Sequence, residues 1–190
     1  MSPKLITPPW AAGRPIPQPV IKGDRVTLRP FDNKDTPMFI DSGTDPHVTD
    51  TFYVMENGGE QHALRSIALM QQQAVLGKAL SYAVTDSDDV AVGYLGMGLG
   101  NIVHGRVIIG MWIRPSHQQK GYMTAGMQTA VEWLSQQEGV RRIEAFIAAD
   151  NTASRRGVEK AGLNFEAVLH RWEMHNGEPR DMCSYALLVD

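Results

Sequence analysis

The spacing of apolar residues changes period several times along the chain, and each change marks an element. Val107 to Ile113 is a continuous apolar run rich in β-branched and aromatic residues, which predicts a buried strand. Arg114-Pro115 stops it, because proline has no N–H to give a ladder. After a polar stretch from Ser116 to Tyr122, Met123, Met127, Ala130, Val131 and Leu134 recur at i, i+4, i+7, i+8 and i+11. That is one face of an α-helix. Gln128, Glu132, Ser135 and Gln136 take the other face, and Gly139 is placed as its C′ residue.

The remaining elements follow the same logic. Arg25 to Arg29 alternates and predicts a first strand. Asp32 can cap a helix through about Ser42, with Pro37 making it short or broken. Thr44 to Gly59 is polar and loop-like. Glu60 to Leu76 has an apolar face at Ala63, Ile67, Met70 and Ala74, and Gly77 ends it. Leu80 to Thr85 and Val90 to Leu99 form a hairpin about Asp86 to Asp89, with Gly93, Gly96 and Gly98 marking a bulge or weak strand. Arg142 to Ala148 is a strand reached through a helix, so it runs parallel to the 107–113 strand. Asn151 opens a short helix that closes at Gly162. Phe165 to Glu173 and Cys183 to Val189 form a last hairpin across Asn176-Gly177. Antiparallel strands, one βαβ unit and a closing hairpin predict a single α+β domain over 24–190. Residues 1–23 carry six of the eleven prolines and read as a tail, pinned by Trp10, Val20 and Ile21.

Composition narrows the class. A chain of 190 residues with 43% apolar content supports one sizeable core. The net charge of −3 gives no general pull toward nucleic acid or anionic membrane. Cys183 is the lone cysteine, which suits a reducing compartment, and no apolar run approaches the ~20 residues of a membrane helix. The expectation is a soluble cytoplasmic protein, monomer or homodimer, with neither nucleic-acid nor membrane partner. The six histidines show no metal spacing, so no metal is expected.

The chemistry centres on the polar stretch before the 123–134 helix. The first turn of a helix leaves N–H groups unpaired and carries partial positive charge, so it can hold a phosphate. Gly121 permits close approach and Lys120 adds charge. A plain βα connection explains the same glycine. Gln118-x-x-Gly121-x-Met123 resembles the acetyl-CoA loop of the GNAT N-acetyltransferases. Gly121-Tyr122-Met123-Thr124 is similar to the branch of ribosomal-protein alanine/serine N-acetyltransferases. The resemblance implies the GNAT fold: a mixed, mostly antiparallel sheet, helices on both faces and a splayed parallel strand pair. It implies that N–H groups around Gln119, Lys120, Gly121, Tyr122, Met123 and Thr124 hold the CoA diphosphate, and that the edge at Met111, Trp112 and Ile113 pairs with pantetheine.

Asn151-Thr152-Ala153-Ser154, followed by Gly162-Leu163, resembles the second GNAT signature. The tyrosine that often stands seven residues after that asparagine, and protonates the CoA sulfur, is Val158 here. The ribosomal-protein branch implies Ser154 as the proton donor and a glutamate on the following strand, Glu173, as the base. Each has a plain reading too: Asn151 as a cap, Ser154 satisfying a neighbouring N–H, Glu173 on a solvated face. Arg155-Arg156 either meets CoA phosphates or is solvated. Asp41, Asp45, Asp50 and Glu56 border the implied acceptor groove, where a cluster of acids would suit a cationic amine. The expected activity is direct acetyl transfer from acetyl-CoA to a primary amine, first a protein or peptide N-terminal α-amine. The alternatives are a small amine such as a polyamine, amino acid or amine antibiotic, and a catalytically silent acyl-CoA-binding module.

Overall fold

The computed structural model describes residues 17–46, 48–49 and 58–190. The expected roles of Trp10, Asp50 and Glu56 lie outside these residues. Eight strands form one sheet: β1 Ile21–Lys22, β2 Thr27–Pro30, β3 Ala79–Thr85, β4 Ala91–Gly98, β5 Arg106–Ile113, β6 Arg142–Ala148, β7 Asn164–His175 and β8 Glu178–Leu188. Their order is β1-β2-β3-β4-β5-β6-β8-β7, antiparallel except for β5 with β6. The α-helices whose bounds fall within the described residues are α1 Thr36–Ser42, α2 Glu60–Val75, α3 Tyr122–Ser135 and α4 Thr152–Lys160. None of the described helices is long and apolar enough to cross a membrane.

The apolar stripe read from the sequence places α3. Met127, Ala130, Val131 and Leu134 are buried in one core with Leu28, Val84, Leu95, Met111 and Ile143 of the sheet. Val158, Ala161 and Leu163, in and just after α4, join that core. On the opposite face Met38 and Phe39 of α1, with Ala63 and Ile67 of α2, pack on Ala83, Ala91 and Trp112. Ile21 is buried in the α3 core while Val20 is exposed. Ile21–Lys22 adds a two-residue edge strand that residue pattern alone did not reveal.

Two local expectations are corrected. The helix expected after Asp32 is short and broken, as Pro37 implied, but Asp32 does not cap its α-helical part. It caps a 3₁₀ turn, Asn33–Asp35, accepting from the Lys34 N–H at 3.3 Å while Asp35 accepts from the Asp32 N–H at 2.8 Å. α1 then starts at Thr36, with Pro37 in the first turn, where a missing N–H costs no intrahelical bond. Gly139 is not the C′ residue of α3. The helix stops at Ser135 with Gln136 as its cap, and Gly139 adopts φ +84° in the following turn. There the Gly139 carbonyl lies 2.6 Å from where a Cβ on Gly105 would stand, so two glycines let this turn close on the start of β5.

The glycines of β4 also have a cause. A Cβ on Gly93 would sit 2.4 Å from the Trp112 carbonyl oxygen and 2.7 Å from Ile113 Cδ1. Gly93 therefore lets β4 approach the end of β5 closely. Gly93→Ala is expected to push that backbone away and to cost about 1–3 kcal/mol. For a chain of this size each kcal/mol lowers Tm by about 2–4 °C. A melting curve superimposable on the parent's would show that β5 absorbs the methyl group freely.

Candidate functional site

The site begins where β5 and β6 separate. Their parallel pairing covers Arg106↔Arg142, Val107↔Ile143 and Ile108↔Glu144 and then ends. Beyond it β5 continues to Ile113 on β4, and β6 continues to Ala148 on β8. The two strands thus diverge, leaving a gap whose β5 side is Met111, Trp112 and Ile113. Charge closes the base of this V. Buried Glu144 of β6 accepts from Arg106 Nε of β5 at 3.0 Å and from Arg142 Nε at 2.6 Å. Arg142 reaches on to Glu166 of β7. Glu144 is buried while its two arginine partners are partly exposed, so this pair ties β5 to β6 at the point where they diverge.

The loop from Arg114 to Gly121 joins β5 to α3. Gln119 and Gly121 have φ of +59° and +80° and flank Lys120. Left-handed residues alternating in this way turn successive N–H groups into a concavity for an anion. Gly121 caps α3, and no side chain takes up the first-turn N–H groups. A Cβ at position 121 would stand 3.2 Å from Arg25 Nη1. The Arg25 guanidinium also lies 5.3 Å above the Tyr122 ring. Open N–H groups, a glycine approach and a nearby guanidinium fit a diphosphate. The N–H groups of Tyr122, Met123 and Thr124 belong to that first turn. Arg25 was invisible to sequence reasoning because only folding brings the β1–β2 turn to this loop.

Other loop side chains hold shape. Gln118 Nε2 donates to Asp45 Oδ2 at 2.8 Å and to the Ile113 carbonyl at 3.2 Å. Lys120 Nζ donates to the Ser116 carbonyl at 3.0 Å. Asp41 Oδ2 of α1 accepts from Arg114 Nε at 2.7 Å and from Ser116 Oγ at 2.8 Å. Ser116 spends its one proton on that carboxylate, so His117 Nδ1, 2.9 Å away, must carry the hydrogen of the third bond. Burial together with the Arg114 and Lys120 charges pushes His117 below the ordinary histidine value, which keeps it neutral at pH 7. Asp41 and Asp45 are thus engaged by the loop that joins β5 to α3, rather than standing free for a cationic amine.

Burial raises the Asp41 carboxyl, but the bonds from Arg114 and Ser116 outweigh it and hold the group below its ordinary value. A depressed folded pKa gives stability that is complete above the unfolded value, about 3.9, and is lost as pH falls through the folded one. The tether is therefore expected to weaken only as pH falls below the ordinary carboxylate range, and the affinity of this loop for acetyl-CoA with it. In Asp41→Asn that acid limb should be flattened in a calorimetric titration across pH. An unaltered limb would assign it to other carboxylates.

The second cluster lies at the start of α4. Asn151 Oδ1 accepts from the Ser154 N–H at 3.0 Å, so Asn151 caps the helix. The Ser154 hydroxyl has no hydrogen-bond partner among the described residues and is half-buried. Arg155 is engaged within the fold: Nε donates to the Tyr185 hydroxyl at 2.9 Å and Nη1 to the Ala149 carbonyl at 3.1 Å, locking α4 to β8. Arg156 is exposed. Val158 and Cys183 are buried in the core. Glu173 lies in β7 opposite Arg180, whose Nη2 donates to Asp150 Oδ1, 3.0 Å away, on the turn into α4. Glu173 and Ser154 therefore belong to adjoining segments, but no hydrogen bond joins them among the described residues.

A mixed sheet that opens between its two parallel strands, with an uncapped helix start beside the opening, is the architecture of an acyl-CoA-dependent N-acyltransferase. The chain belongs to the acetyltransferase (GNAT) domain family, which it matches over residues 25–164. It is 26% identical over 174 residues to the uncharacterized N-acetyltransferase YoaA of Bacillus subtilis (strain 168), covering 90% of this chain and 97% of that one. Its fold is similar to RimL, a ribosomal-protein α-N-acetyltransferase solved with coenzyme A, with TM-score 0.78, 19% identity and coverage of 90% and 99%. It is also similar to the Vibrio cholerae spermidine N-acetyltransferase solved with CoA and spermine, with TM-score 0.73, 18% identity and coverage of 86% and 95%. The protein is an acetyl-CoA-dependent N-acetyltransferase acting on amines.

Proposed function

We propose that the protein acetylates a protein or peptide N-terminal α-amine, as in the ribosomal-protein branch, by direct transfer within a ternary complex. The observation that carries this is the gap beyond Ile108↔Glu144, which opens between the 118–124 loop and the start of α4. N–H groups from Gln119 to Thr124 would hold the diphosphate, with Arg25 as an added cation. The β5 edge at Met111 to Ile113 would receive the pantetheine arm, although the Ile113 carbonyl is already taken by Gln118. Acetyl-CoA supplies the activated acetyl group and the thiolate leaving group. The amine must lose a proton before it attacks, which is assigned to Glu173 directly or through a water relay. The departing sulfur needs a proton, which is assigned to Ser154, since Val158 has none to give.

A small-amine acceptor is the second reading, supported by the similarity to the spermidine enzyme. A silent acyl-CoA-binding module is the third, motivated by Val158. Mixing the protein with acetyl-CoA and a panel of peptides and small amines, while following free thiol, separates all three. Thiol release on N-terminal amines is the expected result. Release on polyamines alone selects the second reading, and binding with no release on any amine selects the third.

A further inference from the structure

Past the last β5–β6 pair each strand carries one aromatic residue, Trp112 on β5 and Phe146 on β6. Ile108 and Glu144 are Cα partners in the parallel pair. Trp112 is four residues beyond the first and Phe146 two beyond the second, so both project from the same face of the sheet. On β5 that face is covered, since Trp112 packs on Phe39 of α1 with ring centroids 6.0 Å apart. On β6 no described helix covers it. Instead Trp172 of β7 stacks on Phe146, centroids 5.9 Å apart and rings 14° from parallel. Trp172 remains 58% exposed.

The chain holds Trp172 in that position by distorting its backbone. The β7–β8 register passes from Leu169↔Met182 to Glu173↔Arg180, so three residues of β7 oppose Asp181 alone. Arg171 takes a left-handed φ of +52°, a strained value for a side chain of its size. Asp181 braces the bulge, accepting from the Arg171 N–H and the His170 Nδ1–H, each at 2.8 Å. Strain kept in order to present an exposed indole beside an opening points to a ligand.

We propose that the outer face of Trp172, backed by Phe146, is an acceptor subsite that takes a flat aromatic or large apolar side chain on the residue bearing the amine. The proposal rests on the N-terminal-amine reading above. α3 and α4 cover the opposite face, so an acceptor enters from this one. Most carboxylates around the gap are already paired, and Glu173, beside Trp172, is the one assigned to the amine proton. Glu144 and Glu166 are held by Arg142, Asp150 by Arg180, Asp41 by Arg114 and Asp181 by its own bulge. A polycation could meet Glu173 with one of its charges, but its further charges would have to break these pairs. Stacking and burial against an indole suffice for about tenfold in specificity.

The test compares short peptides beginning with Phe or Trp, peptides beginning with Gly, and spermidine, by kcat/KM from thiol release. Phe-first and Trp-first peptides should exceed Gly-first peptides by about tenfold. Trp172→Ala should bring that ratio near one, Trp172→Phe should keep most of it, and the acetyl-CoA dissociation constant should be the parent's in both. Indole fluorescence should be quenched by Trp-free Phe-first peptides in the parent and less so in Trp172→Ala. An unchanged ratio in Trp172→Ala, or a parent that prefers Gly-first peptides or spermidine, overturns the subsite while leaving acetyl transfer intact. Absence of thiol release with every amine overturns the underlying reading and the subsite together.

Discussion

Gly121→Val should weaken acetyl-CoA binding about a hundredfold while leaving the fold standing. Valine is β-branched, and at φ +80° it is a genuine outlier costing about 1–3 kcal/mol. Its Cβ would also meet Arg25 Nη1 at 3.2 Å. The loop can relieve both only by rotating Gly121 out of the left-handed region, which turns its neighbours' N–H groups away from the concavity. Each charge-assisted bond to a phosphate is worth about 1.5–3 kcal/mol. Losing two at the lower figure gives about 3 kcal/mol, or two decades in Kd. The readout is calorimetric titration with acetyl-CoA, with circular dichroism as the control for folding. Parent-like affinity in a folded Gly121→Val protein would move the diphosphate away from α3.

Ser154→Ala and Glu173→Gln should each lower kcat with the acetyl-CoA dissociation constant unchanged. General acid or base catalysis contributes about 10²–10⁴-fold, so about a hundredfold loss is the lower bound for either variant. Both substitutions are sterically mild. The Ser154 hydroxyl has no described partner to forfeit, and Glu173 sits on a hairpin at the sheet edge. The two should differ in pH profile. Removing a base abolishes the rise of kcat/KM from the acid side, whereas removing a donor to sulfur leaves that rise in place. Parent-like turnover in Glu173→Gln would take that residue out of the reaction and leave the deprotonation to a water relay. Parent-like turnover in Ser154→Ala would do the same for the sulfur's proton.

Much of the fold was legible because local rules decided it. The β-branched run at 107–113 with Pro115 after it, the stripe of Met127, Ala130, Val131 and Leu134, and the Asn151 and Gly162 caps all appear where the residues predicted them. Misreadings fell where two local signals competed. Asp32 was a good cap, but Asp35 answered it from three residues on and closed a 3₁₀ turn first. Gly139 was a good terminator, but the last α3 carbonyls were satisfied before the chain reached it. The β7 bulge gave no signal at all. Its cause is Asp181, ten residues from Arg171 in sequence and opposite it only once the hairpin forms.

The site divides along the same line. From its own residues the chain determined an apolar strand, a glycine-bearing polar loop and a helix start, because turn and capping preferences act within a few positions. Only the tertiary structure decided where β5 and β6 part, that Arg25 stands beside Gly121, that Asp41 and Asp45 serve the loop, and that Trp172 lies against Phe146. Each of these joins segments distant along the chain. No local propensity encodes such a contact, because it exists only after burial of the shared core has brought the segments together.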